Sequence, residues 1–179
     1  MAKVRTLSRK FMKGQPLESI PTFFVEYFLN SLKVDYRNQS YLDKLFNLNL
    51  KSIDLRKLTM YDIANFHNSL LQATNFTKKH TIRGGNHFKV GDNISLRVWL
   101  NKPYNSPQVI LWDDLKVKKV YDFSKDLLSD NFTLNGKELR FNEVLKIANN
   151  DGLELSAFNQ WFNKPFNGQL ISWVDDINY

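Results

Sequence analysis

The sequence predicts one α+β domain, and three observations lead to this class. The first is the length of 179 residues, the size of a single domain with a core of its own. The second is a composition of 42% hydrophobic and 14% aromatic residues, which excludes a disordered chain. The third is that helical and strand patterns alternate along residues 1–179 without a linker or a repeat.

The N-terminal part is predicted to contain a strand, a loop and a helix. Lys3 to Leu7 is predicted as the opening strand, and residues 9–19 as a basic loop. Pro21 stands at a suitable helix start. The helix after it is indicated by apolar residues at helical spacing, Phe24, Tyr27, Phe28 and Leu32.

Residues 33–77 form a polar, Asn-rich region. Two segments within it, Tyr41 to Phe46 and Leu58 to Leu71, have helical patterns. We therefore expect a helical insertion in the domain.

Beyond Thr77 the pattern changes to turns and strands. Residues 78–87 lack helix periodicity and contain a Gly84-Gly85 turn, and Val90 to Asn93 is a second turn. Three strands are predicted after these turns, at Ile94–Leu100, Val109–Trp112 and Leu115–Phe123.

The C-terminal part is predicted to contain a hairpin, two helices and a strand. Asn135-Gly136 is a strong signal for a two-residue hairpin turn. A helix is predicted from Phe141 to Asn149, with a stop at Asn150-Asp151-Gly152. The remaining elements are a short helix from an N-cap at Ser156 to Phe162, a stop at Pro165, and a final strand from Gln169 to Val174.

Several classes of protein and site are excluded by composition. The absence of cysteine excludes disulfides, thiolate catalysis and Cys-based zinc sites. The three histidines, His67, His80 and His87, lack metal-ligand spacing, and no phosphate-loop or dinucleotide signature is present, so we expect neither metal nor cofactor. No uncharged apolar stretch reaches the roughly 18 residues of a membrane span. The first residues, Met-Ala-Lys-Val-Arg-Thr, are charged without an apolar region behind them, so we expect no secretory signal. We therefore expect a cytoplasmic protein without a membrane partner.

The positive charge is concentrated in two segments. The net charge of the chain is +7. Residues 1–20 and 78–102 together have a larger net positive charge than this, so the rest of the chain is net negative. Such clustering is typical of proteins that bind nucleic acid, although two separate solvated faces would give the same count. Frequent Phe, Tyr, Ile, Asn and Lys, the products of AT-rich codons, indicate a low-GC bacterial or phage genome.

One motif carries specific information. Lys-Lys-His-Thr-Ile-Arg at 78–83 is followed by His-Phe-Lys-Val-Gly-Asp at 87–92. This pair resembles the signature of the ASCH domain family, and Thr-Phe-Phe-Val-Glu-Tyr-Phe at 22–28 is similar to the first helix of that family. The resemblance covers most of the chain outside the insertion. It implies a PUA-like fold, a small mixed or antiparallel β-barrel with packed helices.

The same resemblance implies a function. The family is linked to recognition of RNA and modified nucleosides in a cleft beside the Lys-x-x-Thr-Ile-Arg loop, and some members are amidohydrolases on acetylcytidine or ribonucleases. In the amidohydrolases the motif Lys and Thr work with a Glu on a later helix. Lys78 and Thr81 match, but the third position falls on Ala157, and Glu154 is the nearest carboxylate. We therefore expect binding without turnover. Lys78, Thr81 and Glu154 are the predicted catalytic residues only if the protein is an enzyme.

The side-chain chemistry of the motif agrees with binding. Arg83 offers a planar fork for a phosphate or a base edge. The alternative is that Arg83 pairs with Asp92 or another carboxylate and that Gly84-Gly85 is only a turn. Trp99 and Tyr104 suit stacking on single-stranded nucleic acid, although the core is the commoner place for Trp99. The predicted binding residues are Lys78, Lys79, Thr81, Arg83, Asn86, His87, Lys89, Arg97, Trp99, Tyr104, Arg5 and Arg9.

Three functions follow from these observations. The first is a binding module for nucleic acid or a modified nucleoside, with RNA as the expected partner. The second is an enzyme, an amidohydrolase on acetylated cytidine or a ribonuclease. The third is a phage or bacterial interaction protein that docks on a protein partner through residues 33–77.

Overall fold

A computed structural model describes residues 2–8, 18, 22, 24–32, 77–99, 103–126 and 131–179, and the structural statements below concern these residues. The predicted basic loop and helical insertion lie outside them, apart from Glu18 and Thr77. Arg9 also lies outside the described residues, so its predicted role stays a prediction.

The described residues form eight strands and three helices. In chain order they are β1 (Lys3–Leu7), α1 (Phe24–Ser31), β2 (His80–Gly84), β3 (Asn93–Trp99), β4 (Gln108–Lys116), β5 (Lys119–Lys125), β6 (Phe132–Leu134), β7 (Lys137–Glu138), α2 (Phe141–Asn150), α3 (Leu155–Trp161) and β8 (Phe166–Ser172).

The strands form two sheets. One has the order β1-β3-β4, in which β1 runs parallel to β3 and β4 is antiparallel to it. The other has the order β2-β8-β5-β6-β7, and all of its pairs are antiparallel. The predicted α+β class is therefore confirmed, and no closed barrel is formed by the strands that the structure describes.

The chain passes from one sheet to the other at Val117 and Lys118. The Val117 N–H donates to the Asp92 carbonyl at 2.8 Å, in the turn before β3, and the Lys118 N–H donates to the Ser172 carbonyl at 2.8 Å, at the end of β8. The strand predicted at Leu115–Phe123 is therefore wrong as one element. Its first two residues belong to β4, Val117 and Lys118 form the crossing, and β5 begins at Lys119. The pattern predicts one strand because the apolar, buried Val117 continues it through the crossing.

Other predicted elements are confirmed. The opening strand has its predicted bounds, and α1 buries the predicted aromatic face. Asn135 and Gly136 have positive φ of 50° and 76°, as a two-residue hairpin turn between β6 and β7 requires. Helix α2 ends at Asn150, and Gly152 has φ 77° at the predicted stop.

Three local predictions are wrong. The motif segment predicted as a loop contains β2, an edge strand that pairs with β8 from His80 to Gly84. The N-cap of α3 is Glu154 instead of Ser156, and the Phe158 N–H donates to the Glu154 carbonyl at 2.8 Å. The last strand begins three residues early, because Phe166 already pairs with Lys125 of β5.

The core lies between the sheets and the helices. Phe28 of α1 is fully buried and meets Trp173 edge-on, with ring centroids 5.4 Å apart. Phe123 of β5 contacts four further phenylalanines, Phe132, Phe158, Phe162 and Phe166. Each buried ring of this kind stabilises the fold by about 1.5–3 kcal/mol. Among the described helices, none is long and apolar enough to cross a membrane.

Candidate functional site

The motif segment divides at Arg83 into an inner and an outer part. Lys78, His80 and Thr81 are buried, whereas Gly85, Asn86, His87 and Lys89 are exposed. The cause is the position of β2, which pairs with β8 on one side and leads into a turn at Gly85 with φ 77°. The sequence thus places one half of its predicted site inside the protein and the other half on its surface.

Lys78 is held in the interior by contacts with α1 and with Asp151, which follows α2. Its backbone N–H donates to the Tyr27 carbonyl of α1 at 2.8 Å. Its Nζ donates to the Asp151 backbone carbonyl at 2.8 Å, contacts the Asp151 carboxylate, and lies 3.9 Å from the centroid of the Phe24 ring. With 1% of its surface exposed, this lysine is buried, and such lysines are rare unless they are paired.

The partner carboxylate follows helix α2. Asp151 is the C-cap of α2, and its backbone N–H donates to the carbonyls of Ile147 and Ala148. Burial raises the pKa of Asp151, while the charge of Lys78 acts in the opposite direction. Burial likewise lowers the pKa of Lys78 against the effect of Asp151. Both shifts make the neutral forms of the two side chains easier to reach near neutral pH.

His80 lies beside this pair. It is fully buried, its Nδ1 is 2.8 Å from the Tyr179 hydroxyl, and its Nε2 is 3.7 Å from Asp151 Oδ1. Burial, and then the charge of Lys78, lower the pKa of His80 well below its usual value. The Nε2 atom has no hydrogen-bond partner among the described residues. Unsatisfied buried nitrogens are uncommon and often mark functional positions.

Arg83 completes the group. Its Nη2 donates to the Thr6 carbonyl of β1 at 2.7 Å, while its buried Nε has no partner in the described part of the chain. Burial lowers the pKa of Arg83, and the carboxylate of Asp151 raises it. No ion pair joins Arg83 to Asp92 in the described residues, and Asp92 pairs with Lys3 instead; the carboxylate that acts on the charge of Arg83 is Asp151. We call the buried Lys78, His80 and Asp151, together with the half-buried Arg83 and Tyr179, the buried cluster.

The outer half of the motif meets strand β1. The Lys3 ammonium and the Arg5 guanidinium lie over the Phe88 ring, 5.1 and 4.5 Å from its centroid. Lys3 also donates to the His87 carbonyl, and the Lys89 N–H donates to Asp92 at 2.8 Å. We call Lys3, Arg5, His87 and Lys89 the basic surface.

Gln169 of β8 fixes the loop that carries the basic surface. Its Oε1 accepts from the N–H groups of His87 and Phe88, both at 2.9 Å. Its Nε2 donates to the Asn86 side chain and to the Phe88 carbonyl. Because Gln169 also pairs with Arg83 across the sheet, one residue connects the buried cluster with the basic surface.

Some predicted binding residues lie elsewhere. Leu7 of β1 pairs with Val98 of β3, and both side chains are buried on the same face of the sheet. Because side chains alternate along a strand, Arg5 lies on this face, and Arg97 and Trp99 lie on the opposite one. Trp99 is half-buried and its ring lies 5.4 Å from that of Tyr104, which is 87% exposed. The predicted residues therefore belong to two faces of this sheet.

The remaining predicted residues have local roles. Lys79 pairs with Asp176 at 3.0 Å. Thr81 is buried, and no hydrogen bond of its hydroxyl to another described residue is found. Glu154 is exposed at the N-cap of α3, and no hydrogen bond or ion pair joins it to Lys78.

Sequence reasoning missed Asp151 and Tyr179. Asp151 was interpreted only as part of a helix stop, and its partner is 73 residues away along the chain. The sequence feature that could have indicated Asp151 is a carboxylate in the turn that follows a predicted amphipathic helix. In the described residues, no group of three or more His, Cys, Asp or Glu side chains could hold a metal ion.

Comparison of the chain with protein-family models, with curated proteins and with solved structures found no match. The ASCH resemblance and the single-domain organisation stay predictions from the motif and the pattern of elements.

Proposed function

We propose that the protein binds nucleic acid or a modified nucleoside, with RNA as the main partner. The observation that carries the proposal is the basic surface. Lys3 and Arg5 approach one aromatic ring from β1, and Lys89 extends the same patch. Arg83 lies close enough to Arg5 for each charge to act on the other. Lys3 pairs with the Asp92 carboxylate, and the charge of Lys89 also acts on it.

This arrangement suits an anionic polymer. Phosphates are attracted by exposed cations, and Arg guanidinium groups bind them through two parallel hydrogen bonds. His87 is exposed beside these cations and offers a ring for stacking on a base. A PUA-like fold, as the motif implies, is part of this proposal.

Salt dependence tests the binding proposal. We expect the affinity for single-stranded RNA to fall as salt rises, because bound phosphates release counterions. Arg5→Gln and Lys89→Gln should each weaken binding and reduce the slope of log K against log salt by about one. The matched control is Lys137→Gln, since Lys137 is an exposed lysine on β7, at the opposite edge of the sheet from β2.

Two results would refute RNA binding through this surface. One is the absence of an RNA complex at low salt. The other is an equal loss of affinity in all three variants, because a general effect of net charge would not distinguish Lys137 from Lys89.

A second activity, hydrolysis of an amide such as that of acetylcytidine, is favoured by the contact of Lys78 with Asp151. Hydrolysis needs one group that takes a proton from water and one that gives a proton to the leaving nitrogen. The water oxygen bonds to the acyl carbon as the carbon–nitrogen bond breaks. Because both pKa values are shifted toward neutrality, the Asp151 carboxylate can take the proton from water and the Lys78 ammonium can give one to the leaving nitrogen.

The test compares two carboxylates. Purified protein is incubated with acetylcytidine, and release of acetate is measured for wild type, Asp151→Asn and Glu154→Gln. We expect Asp151→Asn to abolish turnover and Glu154→Gln to retain it. If turnover depends on Glu154 instead, Glu154 is the catalytic carboxylate, as the sequence indicates. If wild type shows no turnover, hydrolysis is refuted and binding is the function that is left.

A further inference from the structure

A chain of four side chains runs through the buried cluster. The Tyr179 hydroxyl is 2.8 Å from His80 Nδ1, and the two rings meet edge-on with centroids 5.7 Å apart. On its other side, His80 Nε2 is 3.7 Å from Asp151 Oδ1. That oxygen is also the one that Lys78 Nζ contacts. Tyr179, His80, Asp151 and Lys78 therefore stand in sequence, each facing the next.

The proton positions in this chain follow from chemistry. Burial raises the pKa of Tyr179, against the effect of a hydrogen bond from Asn150, so its hydroxyl keeps the proton and can donate it to Nδ1. The neutral imidazole then carries its one proton on Nε2, toward Asp151. The other tautomer would direct the Nε2 lone pair at a carboxylate oxygen in a buried site, which is repulsive.

Charged and titratable groups act on His80 and Tyr179 from several elements. These elements are the residues before β2, β5, α2 and its C-cap, and the C-terminal segment. The groups are Lys78, Tyr121, Lys146, Asp151 and Asp176. Burial, and then the charge of Lys78, lower the pKa of His80 and keep the imidazole neutral.

Asp151 needs the donors that this chain supplies. It caps the C-terminal end of α2, where the partial negative charge of the helix disfavours a carboxylate. Lys78 donates one hydrogen bond to it. His80 Nε2 is 3.7 Å from the same carboxylate, beyond hydrogen-bond distance, so its N–H acts on Asp151 through its dipole.

We propose that Tyr179 and His80 are positioning residues for the Lys78–Asp151 pair. Tyr179 fixes the Nε2–H tautomer of His80, and this N–H orients the Asp151 carboxylate toward Lys78. The effect on turnover rests on the proposed amide hydrolysis, whereas the tautomer is a property of the protein alone.

The tautomer is measured by long-range nitrogen–proton NMR on protein with labelled histidine. His67→Gln and His87→Gln variants assign the His80 signals. We expect a neutral Nε2–H imidazole in wild type and a loss of this preference in Tyr179→Phe, which removes only a hydroxyl. An Nδ1–H tautomer in wild type, or an unchanged tautomer in Tyr179→Phe, would overturn the proposal.

The pH profile of acetylcytidine hydrolysis gives an independent measurement. Loss of the N–H donor raises the pKa of Asp151, so the acid limb of the rate profile should move to higher pH in His80→Leu. His80→Gln, which retains an N–H in the same region, should return the acid limb to its wild-type pH. A lower rate with an unmoved limb in a folded His80→Leu protein would contradict the proposal.

The two proposals can fail separately. If wild type does not hydrolyse acetylcytidine, the proposed hydrolysis fails, and the NMR experiment still decides the roles of Tyr179 and His80. If His80→Leu does not fold, the wild-type tautomer and its response to Tyr179→Phe decide the question.

Discussion

The buried cluster and the basic surface use charge in opposite ways, although one stretch of chain supplies residues to both. In the buried cluster, the Lys78 ammonium is shielded from water and contacts a carboxylate. In the basic surface, Lys89 is exposed and Arg5 lies over an aromatic ring. A buried charge interacts strongly with its few neighbours, whereas an exposed charge acts weakly but at a longer range.

The difference separates two tasks. Charges in the buried cluster set protonation states and therefore suit chemistry on a bound group. Charges on the basic surface increase the rate and the strength of encounters with anions. Net charge alone cannot distinguish these tasks, because Lys78 and Lys89 count equally in the sequence.

The largest expected effect is on the buried cluster. Asp151→Ala removes the carboxylate and leaves the Lys78 charge buried without it. We expect a loss of about 3–5 kcal/mol in the free energy of unfolding, since breaking a buried ion pair leaves an uncompensated charge. Urea denaturation monitored by tryptophan fluorescence measures the change.

Two further variants accompany this prediction. Lys78→Met combined with Asp151→Leu should recover much of the stability, because it removes both charges together. Asp176→Ala, which removes an exposed carboxylate, should stay close to wild type. A loss below about 1 kcal/mol in Asp151→Ala, the level of exposed pairs, would show that the pair is solvated.

A second prediction concerns the connection between the two regions. Gln169→Leu removes a side chain that bonds Asn86, His87 and Phe88. We expect a cost of about 2–3 kcal/mol, because the buried Phe88 N–H loses its partner. Hydrogen exchange should show faster exchange of the Phe88 amide, together with weaker RNA binding.

Gln169→Glu is the control for this prediction. It keeps an oxygen for the two N–H donors and loses the donors to Asn86 and Phe88. Its amide protection should therefore fall less than in Gln169→Leu. Unchanged exchange in Gln169→Leu would mean that the loop is held by other contacts.

The sequence predicts the elements that depend on local chemistry. The opening strand Lys3–Leu7, the Asn135-Gly136 turn and the end of α2 before Gly152 follow from turn residues and short patterns, and the structure confirms them. These features need only their neighbours along the chain.

Long-range pairing explains what the sequence could not predict. Strand β2 forms because β8, some 90 residues later, pairs with it. The crossing at Val117 has the apolar pattern of a continuous strand, and only its partners in two sheets reveal it. Asp151 is assigned to Lys78 by the packing of α2 against residues that precede β2, and no local pattern records that packing.

A third prediction uses pH. The pKa of His80 lies well below its unfolded value of about 6.5. The unfolded state therefore takes up a proton first, so the stability contribution of His80 is present above this pH and is lost as the pH falls below it. We expect a loss approaching about 1.4 kcal/mol for each pH unit below 6.5.

His80→Gln should flatten this dependence, whereas His87→Gln, which changes an exposed ring, should retain it. Asp151 acts with the opposite sign, because its raised pKa lets the folded state take up a proton first, at pH values above about 3.9. Urea denaturation at pH values between 5 and 8 measures the slopes, and equal slopes in the two variants would remove His80 as the cause.

The smallest expected effect is at Lys79, the neighbour of Lys78. Its Nζ pairs with Asp176 at 3.0 Å on the surface, where the Asp176 side chain is 67% exposed. Lys79→Ala should cost less than about 1 kcal/mol, and added salt should reduce the difference further. Lys78→Ala should cost several times more and should respond little to salt, because ions in solution screen a buried pair much less than an exposed one. Comparable losses in the two variants would mean that Lys78 is as solvated as Lys79, and the distinction between the buried cluster and the surface would then fail at adjacent residues.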